Sequence, residues 1–173
     1  MDRLWAPWRL DYVTGSKADV GCVFCTEQTL PPSDSLIVHT GAQCYVILNR
    51  FPYNPGHLMV LPNRHVPALA DLSVDELHEL ADLTRLAEAA LVNAYQPQGI
   101  NVGINLGLSA GAGIREHLHV HLVPRWNGDT NFISVVGETR VLPEDLQHST
   151  ARLRPVFADL ARKNLGAGEQ VGG

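Results

Sequence analysis

Ile114–Pro124 reads I-R-E-H-L-H-V-H-L-V-P, and its strict alternation decides the fold class. A strand sends successive side chains to opposite faces, so His117, His119 and His121 are expected together on one face. Leu118, Val120 and Leu122 then face the other way, toward a core. Three imidazoles converge through backbone geometry alone. By itself this convergence fits a polar surface, a metal site or a nucleophilic phosphate site.

Upstream of this strand, Gly107–Gly113 reads G-L-S-A-G-A-G, a segment whose glycines allow backbone N–H groups to approach an anion. The same composition also suits a plain surface loop. It differs from the G-x-x-x-x-G-K-[ST] order of a P-loop, and no lysine follows it. Ile100–Leu106 reads as another strand, leaving Asn105, Ser109, Gly111 and Gly113 as candidate phosphate contacts. Arg115 is either an anion contact or an exposed structural arginine. Ser73 and Glu76 have capping-box spacing, and Leu77, Leu80, Leu83, Ala87 and Leu91 recur near helical periods, predicting a long helix to about Tyr95. Cys44–Phe51 and His57–Pro62 flank turn residues and predict a hairpin.

The tail from Pro143 has helix-forming stretches, but Pro155 argues against one uninterrupted helix. Residues 1–21 read as an irregular arm carrying Trp5, Pro7 and Trp8, 22–126 as the core, 127–165 as a C-terminal extension and 166–173 as a flexible tail. The expected fold is one α+β domain, a compact antiparallel sheet with a long packed helix, rather than a doubly wound parallel sheet.

The chain has 173 residues, 45% of them apolar, enough for a real core and too short for a second large domain. Thirteen basic and eighteen acidic residues give a net charge of −5, which argues against a broad nucleic-acid or membrane surface. A small anion bound by backbone N–H groups and imidazoles remains compatible with that charge. No stretch approaches the roughly 18 apolar residues of a membrane span, and no charged leader precedes an apolar segment, so a cytoplasmic protein is expected. The three cysteines are too few for a disulfide-rich design. Cys22 and Cys25 form a C-x-x-C pair, which suits zinc thiolates, a redox dithiol or ordinary reduced cysteines. Cys44 reads as a small strand residue, and His39, His78 and His148 as packing or surface groups. Arg125, Trp126, Asp129 and Asn131 sit at the exit of the histidine strand, where they shape the chain or touch substrate.

The run His117-Leu118-His119-Val120-His121-Leu122-Val123 resembles the H-φ-H-φ-H-φ-φ signature of the histidine triad superfamily. The G-H-L-M-V-L-P segment, the helical middle and H-L-H-V-H-L-V-P-R-W extend the resemblance over about residues 22–126. With W-N-G-D-T-N-F included, the pattern looks like the bacterial branch that phosphorolyses diadenosine tetraphosphate. The resemblance implies a homodimer or higher homo-oligomer acting on nucleotides, with inorganic phosphate as co-substrate and no organic cofactor. It makes His119 the nucleophile that forms a nucleotidyl-histidine, with His57 supporting the triad through a buried network. It also assigns Asn49 to ribose hydroxyls and Phe24 to a base pocket. Cys22, Cys25, His65 and His117 become the ligands of a structural zinc.

The chemistry of imidazole agrees with that assignment. Neutral histidine has one free lone pair, so His119 must carry its proton on one nitrogen and attack with the other. A backbone carbonyl could fix that tautomer. His121 is placed to bind a phosphoryl oxygen or assist the leaving phosphate, and donors near Gly111 and Gly113 would stabilise developing charge. Where many relatives have G-Q-[ST]-φ before the triad, this chain has Gly111-Ala112-Gly113-Ile114, which removes two side-chain donors. A hydrolase of dinucleoside polyphosphates or phosphoramidates is the alternative enzyme, differing in the second acceptor. A noncatalytic nucleotide-binding regulator is the alternative of another class.

Overall fold

The computed structural model describes residues 21–129 and 144–168. Trp5, Pro7, Trp8, Asn131, most of the expected N-terminal arm and the last five residues lie outside them. Five strands form one sheet: β1 (Ile37–Thr40), β2 (Cys44–Leu48), β3 (Leu58–Pro62), β4 (Gly99–Ile104) and β5 (Val120–Arg125). Their spatial order is β1-β2-β3-β5-β4, and every neighbouring pair is antiparallel. Three α-helices, α1 (Val23–Glu27), α2 (Val74–Tyr95) and α3 (Leu146–Gly168), and two single-turn 3-10 helices, Leu69–Asp71 and Leu108–Ala110, complete the described elements. None is long and apolar enough to cross a membrane.

The sheet faces differ as the alternation requires. Val46, Leu48, Leu58, Val60, Val120 and Leu122 turn toward α2 and α3 and form the main core with Leu80, Leu83, Ala87, Leu91, Leu153 and Phe157. Tyr45, Ile47, Met59 and Leu61 turn to the other face, where Phe24 covers them. Met59 and Gly103 flank His121 in register, so His121 emerges on this second face. Helix α2 starts as expected, with reciprocal Ser73 and Glu76 capping bonds. The buried Glu76 carboxylate also takes two hydrogen bonds from Arg64, which holds its pKa down to about 2.

Two expectations are corrected. The histidine strand was expected from Ile114, but pairing begins at Val120. Val60 pairs with Val120, and two steps further β3 ends at Pro62, which has no N–H to continue the ladder. Leu118 instead donates its N–H to the Val66 carbonyl at 2.7 Å. The alternation survives, since Leu118 is buried in the main core while the histidines face away. The C-terminal helix, in turn, runs through Pro155 without a break. Leu153 and Phe157 are fully buried, and the Arg154 guanidinium donates to the carbonyls of Pro32, Ser35 and Ile37. Tertiary packing therefore outweighs the cost of a proline inside a helix, about 3 kcal/mol for the lost bond and the ring clash together.

Candidate active site

His57 follows a turn whose Gly56 adopts φ +73, and Tyr95 of α2 packs on that glycine so closely that a Cβ would lie 2.8 Å from its ring. The turn aims the His57 ring across the sheet. His57 Nδ1 accepts the Tyr53 N–H at 3.1 Å, with the Asn49 amide 3.3 Å away. An accepting Nδ1 puts the proton on Nε2, which donates to His121 Nδ1 at 3.0 Å. His121 therefore carries its own proton on Nε2, pointing out of the network. Burial, then the neighbouring imidazoles, lowers the pKa of His57 to about 3, and burial does the same to His121, to about 4. Both rings are neutral near pH 7.

His119 has the opposite tautomer. Its Nδ1 lies 2.8 Å from the His117 carbonyl, which only accepts, so Nδ1 holds the proton and Nε2 keeps its lone pair. Burial lowers the pKa of this imidazole below the ordinary histidine value. The His119 and His121 ring centres are 4.8 Å apart and edge to face. One neutral nucleophilic nitrogen and one N–H donor thus stand side by side.

His117 belongs to a second cluster. Its Nε2 donates to the Pro62 carbonyl at 2.9 Å, leaving the Nδ1 lone pair toward Cys22 Sγ at 3.4 Å and Cys25 Sγ at 3.6 Å. His65 Nδ1 lies 3.5 Å from Cys25 Sγ, and all four ligand atoms fall within 4.8 Å of one another. Zn–S bonds of about 2.3 Å and Zn–N bonds of about 2.0 Å give tetrahedral S···N edges of about 3.5 Å. The donor set and its spacing therefore fit zinc. Burial and the adjacent Cys22 thiol raise the pKa of Cys25, so two ionised thiols here call for a cation. Cys44 is separate and inert, its thiol pushed up to about 12 by burial.

The base-side residues divide. Phe24, on α1 between the two cysteines, packs edge-on against His117 at 5.5 Å and beside His119 at 5.3 Å. Asn49 follows β2 beside His57, and its Oδ1 accepts the Phe51 N–H. Asn105 follows β4 and is half-buried, whereas Ser109 and Gly113 are exposed. The Gly111 amide, expected as an anion donor, is engaged within its own loop. Gly111 has φ +90, and its N–H closes a turn on the Leu108 carbonyl, as does that of Ala112 on Gly107. Gly113 keeps its place as a candidate. Arg115 is exposed, and Arg125 forms a two-bond ion pair with Asp129, which also accepts from Asn54.

The HIT domain matches residues 31–128, more than half of the chain. The chain belongs to the HIT family. A Mycobacterium tuberculosis protein called AP-4-A phosphorylase is 44% identical to this HIT protein over 161 residues, covering 88% of the chain and 82% of the relative. Among solved structures, a Zn-bound histidine triad family protein from Mycobacterium smegmatis has a TM-score of 0.66 at 26% identity, over 83% of this chain and 97% of its own. A hypothetical histidine triad nucleotide-binding protein from Sulfolobus tokodaii also has a TM-score of 0.66, at 29% identity over 82% of this chain and 95% of its own.

Sequence reading overlooked two residues that shape this HIT site. Glu27, at the end of α1, is buried and receives the Arg50 guanidinium at 2.7 Å and the Leu36 N–H at 3.2 Å. It fastens the helix carrying Phe24. Tyr53 supplies the N–H that fixes the His57 tautomer. Its place between Phe51 and the N-P-G turn was the available signal, but a backbone donor leaves no trace in residue type.

Proposed function

We propose that this protein is a dinucleoside polyphosphate phosphorylase, converting diadenosine tetraphosphate and inorganic phosphate to ADP and ATP. The observation that carries the reading is the His119 tautomer: with Nδ1 donating to the His117 carbonyl at 2.8 Å, Nε2 is left as an uncharged nucleophile. That nitrogen attacks the phosphorus bearing one adenosine. A P–N bond forms, the P–O bond to the remaining polyphosphate breaks, and ATP departs as an anion. A phosphate oxygen then attacks the same phosphorus, the P–N bond breaks, and ADP leaves. Polyphosphate is stable as an anion, so a neutral His121 serves by donating its Nε2–H to a phosphoryl oxygen as charge develops. His57 holds that donor in place, Phe24 and Asn49 supply the base and ribose contacts, and Asn105, Ser109 and Gly113 the polyphosphate contacts.

The likeness to the mycobacterial phosphorylase over most of both chains supports the substrate. Cys22, Cys25, His65 and His117 would hold a structural zinc, which supplies a rigid tie between α1 and the residues before β5. The half-exposed Val102 on the edge strand β4 supports pairing with a second copy as a homodimer. Three free thiols support a reducing, cytoplasmic setting.

The test is product analysis with radiolabelled phosphate and diadenosine tetraphosphate. Label in ADP alone, with ATP unlabelled, is the expected result. AMP formed without phosphate would make the protein a hydrolase, and no turnover would make it a binding protein. His119→Asn should abolish the quenched nucleotide adduct, and an adduct that persists would remove His119 from its role.

A further inference from the structure

The contact between His57 and His121, at 3.0 Å, holds only while the turn before β3 stays against β5. Backbone pairing does not reach that far. The β3–β5 ladder ends at Leu58 and Leu122, and continuing its register would set Gly56 against Pro124. Gly56 leaves extended backbone at φ +73, so the ladder stops short of the turn. A side chain bridges the gap instead. Asn54 Nδ2 donates to the Pro124 carbonyl at 2.8 Å and to the Asp129 carboxylate at 2.9 Å. Both partners only accept, so the two bonds use both amide hydrogens and fix the orientation of the amide. Asn54 is 9% exposed, and its own carbonyl accepts the His57 N–H at 3.2 Å. One residue therefore closes the turn and fastens it to the next strand.

The fastening ends on a well-held group. Asp129 receives the Arg125 guanidinium through two bonds and the Trp126 N–H at 3.3 Å, while Arg125 also donates to Asn101 Oδ1 on β4 at 2.7 Å. The Arg125 guanidinium holds the Asp129 carboxyl well below the usual carboxylate range, so Asn54 donates to an ionised acceptor. We propose that Asn54 is a positioning residue for the phosphate donor: its amide keeps the His57 turn on β5, and thereby His57 Nε2 within bond reach of His121 Nδ1. The inference rests on the phosphorylase reading for what His121 donates to. The nucleophile is independent of this link, since His119 takes its tautomer from the His117 carbonyl.

The test compares the parent with Asn54→Leu, of similar size but without a donor, and with Asn54→Ser, whose shorter side chain leaves room for water. Both retain the backbone carbonyl that accepts from His57. In phosphate-dependent formation of ADP and ATP, kcat should fall about 10- to 100-fold with KM within about twofold. In a His57→Phe background the same substitutions should cost no more than about twofold, because the group they act through is gone. Nitrogen NMR of the histidine-labelled full chain without ligand gives a readout independent of turnover. His121 should pass from protonation on Nε2 to a mixture of tautomers, while His119 keeps its proton on Nδ1. Parental kcat and tautomers in the variants would overturn the proposal. So would a rise in KM alone, a loss as large in the His57→Phe background as in the parent, or altered tautomers at both histidines. If Asn54→Leu does not fold, Asn54→Ser decides. A protein that makes no ADP and ATP, yet loses the His121 tautomer on Asn54→Ser, would overturn the phosphorylase reading and retain the positioning role.

Discussion

Replacing His57 with phenylalanine tests whether the His57–His121 contact aims the phosphate donor. The ring is 0% exposed, and phenylalanine fills similar space, so no large cavity results. What disappears is one acceptor for the Tyr53 N–H, at 3.1 Å, and one donor to His121 Nδ1, at 3.0 Å. An orphaned buried donor costs about 1–3 kcal/mol of stability, well within the reserve of a folded domain. Without its partner, His121 is free to rotate or to move its proton to Nδ1, and the Nε2–H no longer points at a phosphoryl oxygen. A hydrogen bond to a charged group is worth about 1.5–3 kcal/mol, which corresponds to a loss of about 10- to 150-fold in kcat. His57→Gln retains an amide donor near the Nε2 position and should recover most of that loss. The assay is phosphate-dependent formation of ADP and ATP at saturating substrate, with a urea midpoint for each variant to confirm folding. A folded His57→Phe with parental kcat would refute the positioning argument. So would a His57→Gln as impaired as His57→Phe, because bulk alone would then be at stake.

Acid should destabilise the protein through the same pair. The unfolded chain takes up protons near pH 6.5, whereas folded His121 and His57 resist them until about 4 and 3, so stability present above pH 6.5 is lost as pH falls toward 4. Urea unfolding should show up to about 1.4 kcal/mol per pH unit for each group in that window, and His121→Gln should flatten the slope; an unchanged slope would exclude this source. Purified protein should contain one zinc per chain by elemental analysis, lost in Cys25→Ser, with faster amide exchange over α1 once the metal is chelated. Exchange over α1 that ignores the metal would separate the cluster from the Phe24 wall. Gly56→Ala should cost about 2–4 kcal/mol in a denaturant titration, combining left-handed strain at φ +73 with a Cβ only 2.8 Å from the Tyr95 ring, and a near-neutral result would mean that the turn can shift.

The parts of the fold that were legible in sequence are those specified locally. Helix α2 carries its start signal in Ser73 and Glu76, which is realised, and most of its buried face in the leucine spacing: Leu80, Leu83, Ala87 and Leu91 are buried, whereas Leu77 is exposed. The alternation from His117 to Leu122 placed side chains correctly on two faces even where no ladder forms, because extended backbone alternates with or without a partner. The point where β5 begins was illegible, since it depends on Pro62 of another strand. Pro155 misled for a related reason: its cost is local and visible, whereas the compensation from Leu153, Phe157 and Arg154 comes from contacts across the fold. The four-residue β1 and five-residue α1 are too short to show a period.

The same division runs through the active site and explains its construction. Residue types named the chemistry, since imidazoles on one face and a C-x-x-C pair restrict what a site can do. They did not assign the protons. His119 and His121 have identical side chains two residues apart, yet one holds its proton on Nδ1 and the other on Nε2. A carbonyl two residues back in the same extended segment fixes the first and a ring from the turn before β3 fixes the second. The proposed nucleophile and the proposed donor are thus set by partners of different origin. Altering the turn at Gly56–His57 should impair the donor while leaving the nucleophile's tautomer intact, whereas loosening His117 from Pro62 should disturb the carbonyl that orients His119. If the cluster around His117 holds zinc, its effect on the proposed nucleophile is carried by the His117 carbonyl, the acceptor that keeps the His119 proton on Nδ1 and leaves Nε2 free.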